Sequence, residues 1–287
     1  MIIAPDRSIL REAAARALGE DIGPIDLTSH ALIPEDLTYQ ARIFVKEAGI
    51  LSGNCVAEIV YQELDPQIEV QSCLSDGSPI EPGQTVMELQ GNARRLLSGE
   101  RVALNFLQHL SGIATQTRKF VDAVSGTSTR ILDTRKTIPG LRALQKYAVA
   151  CGGGTNHRFG LYDAFMIKDN HVSLLGNQSD QAFQETVEKA RRFDPDVPLI
   201  AEADTIDQVK AWLKAGVDRI LLDNMTNEEM TEAVTLCEGK CPTEASGNMT
   251  LERVGEVAAC GVDFISIGAL THHIDSLDFS LEIIESN

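Results

Sequence analysis

The sequence predicts an α/β fold in which an open (β/α) barrel of parallel strands follows an N-terminal part of mixed α and β character. From Thr129 onward, short apolar runs alternate with helical segments, and these runs are too uniformly apolar for strands with one face in water. Six or seven such units in about 150 residues suit a compact or incomplete barrel better than a doubly wound sheet, although periodicity alone leaves both open.

The N-terminal half follows a different pattern. Residues 8–18 have helical composition and the stretch from Gly19 to Pro24 breaks the helix, while the polar loop around Asp26 is either a helix cap or part of a site. A strand is predicted after Pro34, a helix over Asn54–Leu64, and then strands joined by Asp-Gly and Pro-Gly turns. This half contains few residues with obvious chemistry.

A long amphipathic helix is predicted to begin at Ser98, with an apolar stripe that includes Val102 and Phe106. Arg101 then lies in the first turn, where a cation opposes the helix dipole. Arg101 therefore faces an anion or a partner subunit, or it is an ordinary surface arginine.

The apolar runs after Thr129 are bounded by recognisable helix signals. Thr205 with Gln208 and Thr226 with Glu229 fit capping boxes. The pattern Gly-Val-Asp-x-Ile occurs at 216–220 and again at 261–265, which indicates a faint internal repeat. The predicted strands lie in RILDTR, DAFMIKD, PLIAEAD, RILLDN, TEASGN and FISIGAL.

Composition and charge exclude several classes of function. The 287 residues are 43% hydrophobic and 23% charged, as in an ordinary globular protein. A net charge of −17 argues against nucleic-acid binding and against binding to anionic membranes. The N-terminus lacks signal-peptide character, no stretch is apolar enough to span a membrane, and the six cysteines contain no CxxC motif. We therefore expect a cytoplasmic protein with reduced cysteines.

Basic residues are concentrated between Asp133 and His171, in contrast to the acidic chain as a whole. Glycines at 152–154 and 160 divide this segment into turns, where ligand-binding groups are common. Cations that are gathered and partly desolvated repel one another, so the cluster predicts an anionic ligand. A solvated basic helix face is the alternative.

Residues that could catalyse a reaction or bind a ligand follow the predicted strands. The carboxyl ends of barrel strands converge on one face. Arg135 and Lys136 follow one strand and Lys168 another, while Glu202 and Asp223 end two more. These carboxylates suit ribose hydroxyls, Mg²⁺ or a cationic sugar centre. Backbone N–H groups at Ser246-Gly247 and Gly268-Ala269 suit a phosphate if these turns lead into helices, although such turns are more often only caps. His157 is either a structural histidine or a ligand.

Taken together, the motifs DTRKTIPGLR, GGGTNHRFGLYDAFMIKDNH, EADT, LLDN, EASGN and ISIGALTH resemble the quinolinate phosphoribosyltransferase family. The resemblance runs from near Asp26 to beyond Ser280 and implies transfer of a phosphoribosyl group from phosphoribosyl pyrophosphate to quinolinate, with loss of CO₂ and pyrophosphate. It also implies Mg²⁺, an N-terminal α/β sandwich domain over 1–112, an open barrel over 113–270, and a C-terminal segment, 271–287, that returns to the first domain. A homodimer with a shared active site, with higher oligomers left open, is implied as well.

The same resemblance implies roles for individual residues. Arg135, His157 and Arg158 resemble the residues that bind quinolinate, with Thr134 nearby, and Arg101 resembles an arginine contributed by the neighbouring subunit. Lys136 and Lys168 resemble lysines that contact a carboxylate or the diphosphate. The carboxylates near ribose and Mg²⁺ correspond to Glu202 and Asp223, and the 5′-phosphate site to Ser246, Gly247, Asn248 and Gly268.

Three alternatives remain at the level of sequence. A lyase of the aldolase type would use Lys168 to form a Schiff base. A binding protein for anionic metabolites would share the shape without the chemistry. The same transfer to a monocarboxylate such as nicotinate would use only part of the basic cluster and release no CO₂.

Overall fold

The structure, a computed structural model, describes residues 2–174 and 179–284, apart from the side chain of Asp169. Met1 and residues 285–287, which belong to the first and last predicted segments, lie outside the described residues. The chain divides into two compact units. Unit 1 comprises Met1–Arg118, Thr137–Gly153 and Ala269–Asn287, and unit 2 comprises Lys119–Lys136 and Gly154–Gly268. The domain boundaries predicted from sequence stay a prediction.

Unit 1 is built on a four-stranded antiparallel sheet with the strand order β12-β1-β5-β3. Alternate residues of β1, Ala41, Ile43 and Val45, are fully buried, which is the period of two expected of a strand with one face in the core. The strands are β1 (Thr38–Val45), β3 (Glu69–Ser72), β5 (Thr85–Asn92) and β12 (Phe279–Ile284), with a separate pair β2 (Gly49–Ile50) and β4 (Pro79–Ile80). The C-terminal strand β12 therefore lies beside β1.

The helices of this unit are α1 (Arg7–Ile22), α2 (Leu27–Leu32), α3 (Asn54–Leu64), α5 (Arg142–Cys151), α11 (Ala269–His272) and most of α4 (Ala93–Ala123). The bounds of α3 match the prediction, and the α/β sandwich is confirmed. Asp26 caps α2 by accepting a hydrogen bond from the backbone N–H of Ser29, which favours the capping interpretation of that loop.

Helix α1 ends at Ile22, inside the Gly19–Pro24 stretch that was predicted to break it. One prediction for unit 1 was wrong. Helix α4 begins at Ala93, so Ser98 is not its N-cap; the Ser98 hydroxyl instead lies 2.8 Å from two acceptors, the carbonyl oxygen of Arg94 and a carboxylate oxygen of Asp26. Arg101 therefore lies beyond the first turn of α4, and the argument from the helix dipole does not apply to it.

Unit 2 contains a six-stranded parallel sheet with the order β6-β11-β10-β9-β8-β7. Because the first strand pairs with the last, the sheet curls as a barrel does, and among the described residues no strand pairing joins β6 to β7. The predicted open barrel is confirmed. Its strands are β6 (Arg130–Leu132), β7 (Phe165–Ile167), β8 (Leu199–Ala203), β9 (Arg219–Asp223), β10 (Thr243–Ser246) and β11 (Phe264–Ser266).

Helices follow most of these strands, as the alternating sequence predicted: α6 (Asp169–Leu174), α7 (Asp180–Phe193), α8 (Ile206–Ala215), α9 (Asn227–Cys237) and α10 (Leu251–Ala259). Thr226 and Glu229 form a complete capping box. Thr205 caps α8, but the side chain of Gln208 accepts a hydrogen bond from Asp204 rather than from Thr205. None of the helices in the described part of the chain combines the length and apolar character needed to cross a bilayer.

The repeated Gly-Val-Asp-x-Ile pattern has a structural explanation. Asp218 accepts a hydrogen bond from the backbone N–H of Leu199 at 2.6 Å, and Asp263 accepts one from Thr243 at 2.7 Å. The backbone N–H groups of the two aspartates also donate to carbonyls, that of Asp218 to Leu199 and that of Asp263 to Thr243. Each aspartate therefore fixes the first residue of the neighbouring strand, β8 or β10, and so sets the register of the sheet.

Candidate functional site

The carboxyl ends of the parallel strands in unit 2 lie at one edge of the sheet, and they carry most of the candidate residues. Thr134, Arg135 and Lys136 follow β6, and Lys168 follows β7. Glu202 and Asp223 lie at the ends of β8 and β9, Ser246 ends β10, and Gly268 comes shortly after β11. This placement agrees with the strand positions predicted from sequence.

A buried aspartate anchors two of the basic segments to each other. Asp133 is fully buried and accepts hydrogen bonds from the Asn156 side chain at 2.8 Å and from the backbone N–H of His157 at 2.7 Å. Backbone hydrogen bonds also connect Thr155 with Ile131 and Asp133. The residues after β6 and the residues around His157 therefore form one framework, and sequence reasoning did not identify Asp133 as its anchor.

Two arginines of this framework lie close to each other. Burial lowers the pKa of the Arg158 guanidinium, and the positive charge of Arg135 lowers it further, with Asp163 acting in the opposite direction. One guanidinium nitrogen of Arg158 donates to the carbonyl of Ala164 at 3.1 Å, which directs the side chain. A pair of like charges held in this way suits a ligand with more than one anionic group.

His157 is engaged by the protein itself. Its side chain is only 6% exposed, and Nε2 lies 3.2 Å from a carboxylate oxygen of Glu244. The backbone N–H of Arg158 donates to Nδ1 at 2.6 Å, so the ring proton is placed on Nε2. Of the two sequence interpretations, these contacts favour a structural histidine that lies next to a ligand-binding residue.

Three carboxylates gather at the ends of β8 and β9. One oxygen each from Glu202, Asp204 and Asp223 lies within 4.8 Å of the others, and hard oxygen ligands of this kind suit Mg²⁺. Asp204 was missed from the sequence because an exposed acidic residue before a helix ordinarily reads as part of a cap. The observed capping residue is Thr205, as predicted.

Glu202 is also positioned by its neighbours. Nζ of Lys168 lies 2.6 Å from Oε2 of Glu202, whose side chain is 8% exposed. Beneath it, the indole N–H of Trp212 donates to the backbone carbonyl of Glu202 at 2.9 Å. Trp212 is the only tryptophan in the sequence, so its fluorescence reports directly on this part of the site.

A turn with unusual backbone geometry follows β10. Gly247 has φ of 95°, Asn248 has φ of 48°, and Asn224, after β9, has φ of 55°. A Cβ atom at Gly247 would overlap the side chain of Asn224, whose amide donates to Asp223 at 2.9 Å. Backbone strain concentrated in this way is typical of ligand sites. Asn224 adds a residue that the predicted set of site residues did not include.

The two small-residue turns differ from the prediction in how they meet helices. Helix α10 begins at Leu251 and is capped by Thr250, so Ser246 and Gly247 do not lie at its N-terminus. The available backbone N–H groups there belong to the turn itself. Gly268 does precede a helix, α11, but that helix has only 4 residues.

The remaining candidates are more exposed. Lys136 is exposed, and its backbone N–H donates to the Thr134 hydroxyl at 3.1 Å. Arg101 is exposed on α4 and belongs to unit 1, unlike the other candidates.

The chain is similar to known proteins over most of its length. The family models for the N-terminal and C-terminal domains of quinolinate phosphoribosyl transferase match residues 26–111 and 113–282. A mitochondrial decarboxylating quinolinate phosphoribosyltransferase of Nicotiana tabacum is 41% identical over 290 residues, which span 96% of this chain and 82% of that protein.

A carboxylating nicotinate-nucleotide pyrophosphorylase of Mycobacterium leprae is 40% identical over 279 residues, which span 95% of this chain and 96% of that protein. Among solved structures, the nicotinate-nucleotide pyrophosphorylase of Francisella tularensis is similar, with a TM-score of 0.92, 38% identity and 99% coverage of both chains.

Proposed function

Because the chain belongs to the quinolinate phosphoribosyltransferase family, we propose that it transfers the phosphoribosyl group of phosphoribosyl pyrophosphate to quinolinate. The products are nicotinate mononucleotide, pyrophosphate and CO₂, a step that supplies NAD synthesis. One observation carries the proposal from the structure: Arg135 follows β6 and lies near Arg158, and a cluster of carboxylates lies at the carboxyl ends of β8 and β9 in the same parallel sheet.

The acid substrate is assigned to the framework around Asp133. Arg135 and Arg158, with the Thr134 hydroxyl nearby, bind the two carboxylates of quinolinate, since arginine can bind a carboxylate through two parallel hydrogen bonds. Each charge-assisted hydrogen bond contributes about 1.5 to 3 kcal/mol. His157 supports the backbone of Arg158 through Nδ1. A dicarboxylate can use both arginines, whereas nicotinate has a single carboxylate to offer them.

The phosphoribosyl substrate is assigned to the carboxylates and the turn beyond them. Backbone N–H groups around Ser246, Gly247 and Asn248, together with Gly268, bind the 5′-phosphate. Glu202 and Asp223 face the ribose, and with Asp204 they supply the oxygen ligands that Mg²⁺ prefers. When bound, Mg²⁺ neutralises the charge that develops on the diphosphate leaving group.

The residues act mainly by positioning and by electrostatics. The arginines hold the pyridine nitrogen in line with C1 of the ribose, which converts a bimolecular reaction into a local one. Glu202 or Asp223 stabilises positive charge on the ribose as the bond to diphosphate breaks, and Lys136 and Lys168 offset negative charge on the diphosphate or a carboxylate. The ring nitrogen, once alkylated, accepts the electrons that the departing 2-carboxylate leaves behind.

Lys168 does not suit the alternative lyase chemistry. A Schiff base requires an uncharged amine. The close contact between Lys168 and the Glu202 carboxylate engages the ammonium form instead. Borohydride treatment in the presence of quinolinate should therefore leave Lys168 unmodified.

The direct test is an assay of the purified protein with quinolinate, phosphoribosyl pyrophosphate and Mg²⁺. Nicotinate mononucleotide, pyrophosphate and CO₂ should form in equal amounts. Replacing quinolinate with nicotinate should abolish CO₂ release and nearly abolish transfer. If the protein binds both substrates but produces none of the three products, it is a binding protein and the proposal is wrong.

The active assembly is proposed to be a homodimer in which Arg101 of one subunit completes the acid site of the other. The support is the family membership and the exposure of Arg101 on α4. Mixing two inactive variants, Arg101→Ala and Arg158→Ala, should restore up to about one quarter of wild-type activity, because half of the randomly formed dimers contain one intact site. No recovery after subunit exchange would place Arg101 in its own subunit's site or outside any site.

A cytoplasmic location is the remaining part of the proposal. The named tobacco relative is mitochondrial. Fractionation of the source cells, with activity followed in each fraction, tests the location.

A further inference from the structure

Glu244 is a fully buried carboxylate that the proposed chemistry does not use. It lies on β10, with Leu221 of β9 and Phe264 of β11 as its register partners, and its side chain is 0% exposed. An ionised carboxylate in such a position is costly unless it is paired and hydrogen-bonded. Its presence between two apolar neighbours therefore requires an explanation.

Two side chains provide the partners of Glu244. A guanidinium nitrogen of Arg219 lies 2.9 Å from Oε2, and Nε2 of His157 lies 3.2 Å from the same oxygen. Burial acts to raise the pKa of Glu244, but its interactions with the nearby His157 and Arg219 side chains outweigh burial and lower the pKa below its ordinary value. Glu244 is therefore ionised at neutral pH.

Arg219 is itself held in place by an aromatic ring. Its guanidinium carbon lies 4.1 Å from the ring centroid of Phe264, the register neighbour of Glu244. Arg219 extends from β9, and its side chain is 25% exposed. The carboxylate thus has a partner on β9 that does not belong to the loop that carries His157.

The loop that carries His157, in contrast, depends on Glu244 for the orientation of the His157 ring. His157 uses Nε2 towards Glu244 and Nδ1 towards the backbone N–H of Arg158. A neutral imidazole has one donor and one acceptor nitrogen, so the carboxylate near Nε2 and the backbone N–H at Nδ1 favour the same tautomer, with the proton on Nε2. Arg219, Glu244, His157 and Arg158 form a continuous series of contacts from inside the sheet to the acid site.

We propose that Glu244, held by Arg219, is a positioning residue for the acid substrate: it fixes the tautomer and orientation of His157, and His157 in turn fixes the backbone of Arg158 beside Arg135. The inference rests on the proposed function, because it assigns quinolinate to these arginines. Glu244 itself contacts no substrate. Its effect is exerted on the affinity for the acid and not on the phosphoribosyl substrate.

Steady-state kinetics of Glu244→Gln test this role. The amide preserves the shape of the side chain but removes the charge that selects the Nε2–H tautomer. KM for quinolinate should rise about tenfold, while kcat and KM for phosphoribosyl pyrophosphate stay within about twofold of wild type. The matched control is Asp263→Asn, which alters a carboxylate bonded to the first residue of the same strand. It should leave both KM values unchanged.

Two substitutions of His157 provide a test that leaves the Glu244–Arg219 pair intact and applies even if Glu244→Gln does not fold. The amide of Gln reaches about as far as Nε2 and can meet Glu244, whereas the amide of Asn reaches only as far as Nδ1 and can meet the backbone N–H of Arg158 but not Glu244. Because the proposed role needs both contacts in series, both variants should raise KM for quinolinate by about tenfold. A wild-type KM for His157→Asn, which keeps only the contact with Arg158, overturns the proposal.

A double-mutant cycle and a spectroscopic measurement complete the experiment. In the His157→Asn background, Glu244→Gln should add almost nothing to the quinolinate KM, since the two residues act in series. Imidazole ¹⁵N spectra, with the His157 signals identified by their loss in His157→Gln, should show the Nε2–H tautomer in the wild type and a mixture in Glu244→Gln. Additive effects on KM, a parallel rise of both KM values, or an unchanged tautomer would each contradict the role.

The spectra are recorded without turnover, which separates this proposal from the assigned activity. If wild-type protein produces no nicotinate mononucleotide, the proposed function fails while the tautomer result stands. If the wild type is active but the tautomer is unchanged in Glu244→Gln, the positioning role of Glu244 fails while the proposed function stands.

Discussion

Substitution of Gly247 by alanine tests the assignment of the 5′-phosphate to the turn after β10. Gly247 has φ of 95°, a left-handed conformation that costs a residue with a Cβ about 1 to 2 kcal/mol. The added Cβ would also overlap Asn224, and moving Asn224 breaks its 2.9 Å hydrogen bond to Asp223, a loss of about 1 kcal/mol. The variant should therefore be destabilised by about 2 to 3 kcal/mol in total.

Gly216→Ala is the matched control. Gly216 has φ of 82°, but a Cβ there would meet nothing within 4 Å. This variant has the same kind of backbone cost without the overlap, so it should be about 1 kcal/mol more stable than Gly247→Ala. Urea unfolding followed through Trp212 fluorescence measures both free energies of unfolding.

Kinetics then decide whether the turn binds phosphate. Losing one hydrogen bond to a charged phosphate costs about 1.5 to 3 kcal/mol, and about 1.4 kcal/mol corresponds to a factor of ten. KM for phosphoribosyl pyrophosphate should therefore rise about 10- to 100-fold in Gly247→Ala and stay near the wild-type value in Gly216→Ala. If the two variants have the same KM, the phosphate does not bind at this turn.

Three further predictions concern the framework. Asp218→Ala should lower the free energy of unfolding by about 1 to 3 kcal/mol, because it leaves the backbone N–H of Leu199 without its 2.6 Å partner; urea denaturation measures this, and a large change in either KM would contradict a purely structural role. The lowered pKa of Glu244 means that its ionisation stabilises the fold above the ordinary value of 4.5, and that this contribution is lost as the pH falls through the folded-state pKa. Unfolding curves at a series of acidic pH values should therefore show a steeper loss of stability in the wild type than in Glu244→Gln, and equal slopes would count against the assignment. Burial raises the pKa of the Cys55 thiol to about 12, so iodoacetamide should modify exposed Cys73 well before Cys55, as peptide mass spectrometry would show; faster labelling of Cys55 would mean that its surroundings open in solution.

The order of contacts around Arg158 has a consequence for engineering the acid specificity. Arg158 is directed by Ala164 through its guanidinium and by His157 through its backbone. A substitution at Arg135 or Arg158 changes the positive charge available to bind the acid. A substitution at His157 or Glu244 changes only where the charge of Arg158 is placed. The two kinds of variant are expected to differ in kcat as well as KM when tested with monocarboxylates.

Much of the architecture could be read from the sequence because it depends on local chemistry. The helix Asn54–Leu64 and the capping residues Thr205 and Thr226 were predicted correctly, since caps and amphipathic patterns involve residues a few positions apart. The alternation of apolar strands with helices was enough to place the candidate residues at strand ends. The motifs identified the family without any structural information.

Local signals failed where a distant residue decided the outcome. Ser98 looked like an N-cap, but its hydroxyl bonds to Asp26, 72 positions earlier, and the helix begins at Ala93. The sequence also offered no reason to connect Glu244 with His157 or Arg219, because these residues meet only when β9, β10 and the loop before β7 come together.

The sequence by itself therefore determined the fold class, the strand ends and the candidate residues that the family motifs contain. Only the tertiary structure decided the strand order, the overlap that would follow a side chain at Gly247, and the partners of each buried charge. The physical reason is that propensity and periodicity act over a few residues, whereas burying a carboxylate is favourable only when its partners arrive from other strands.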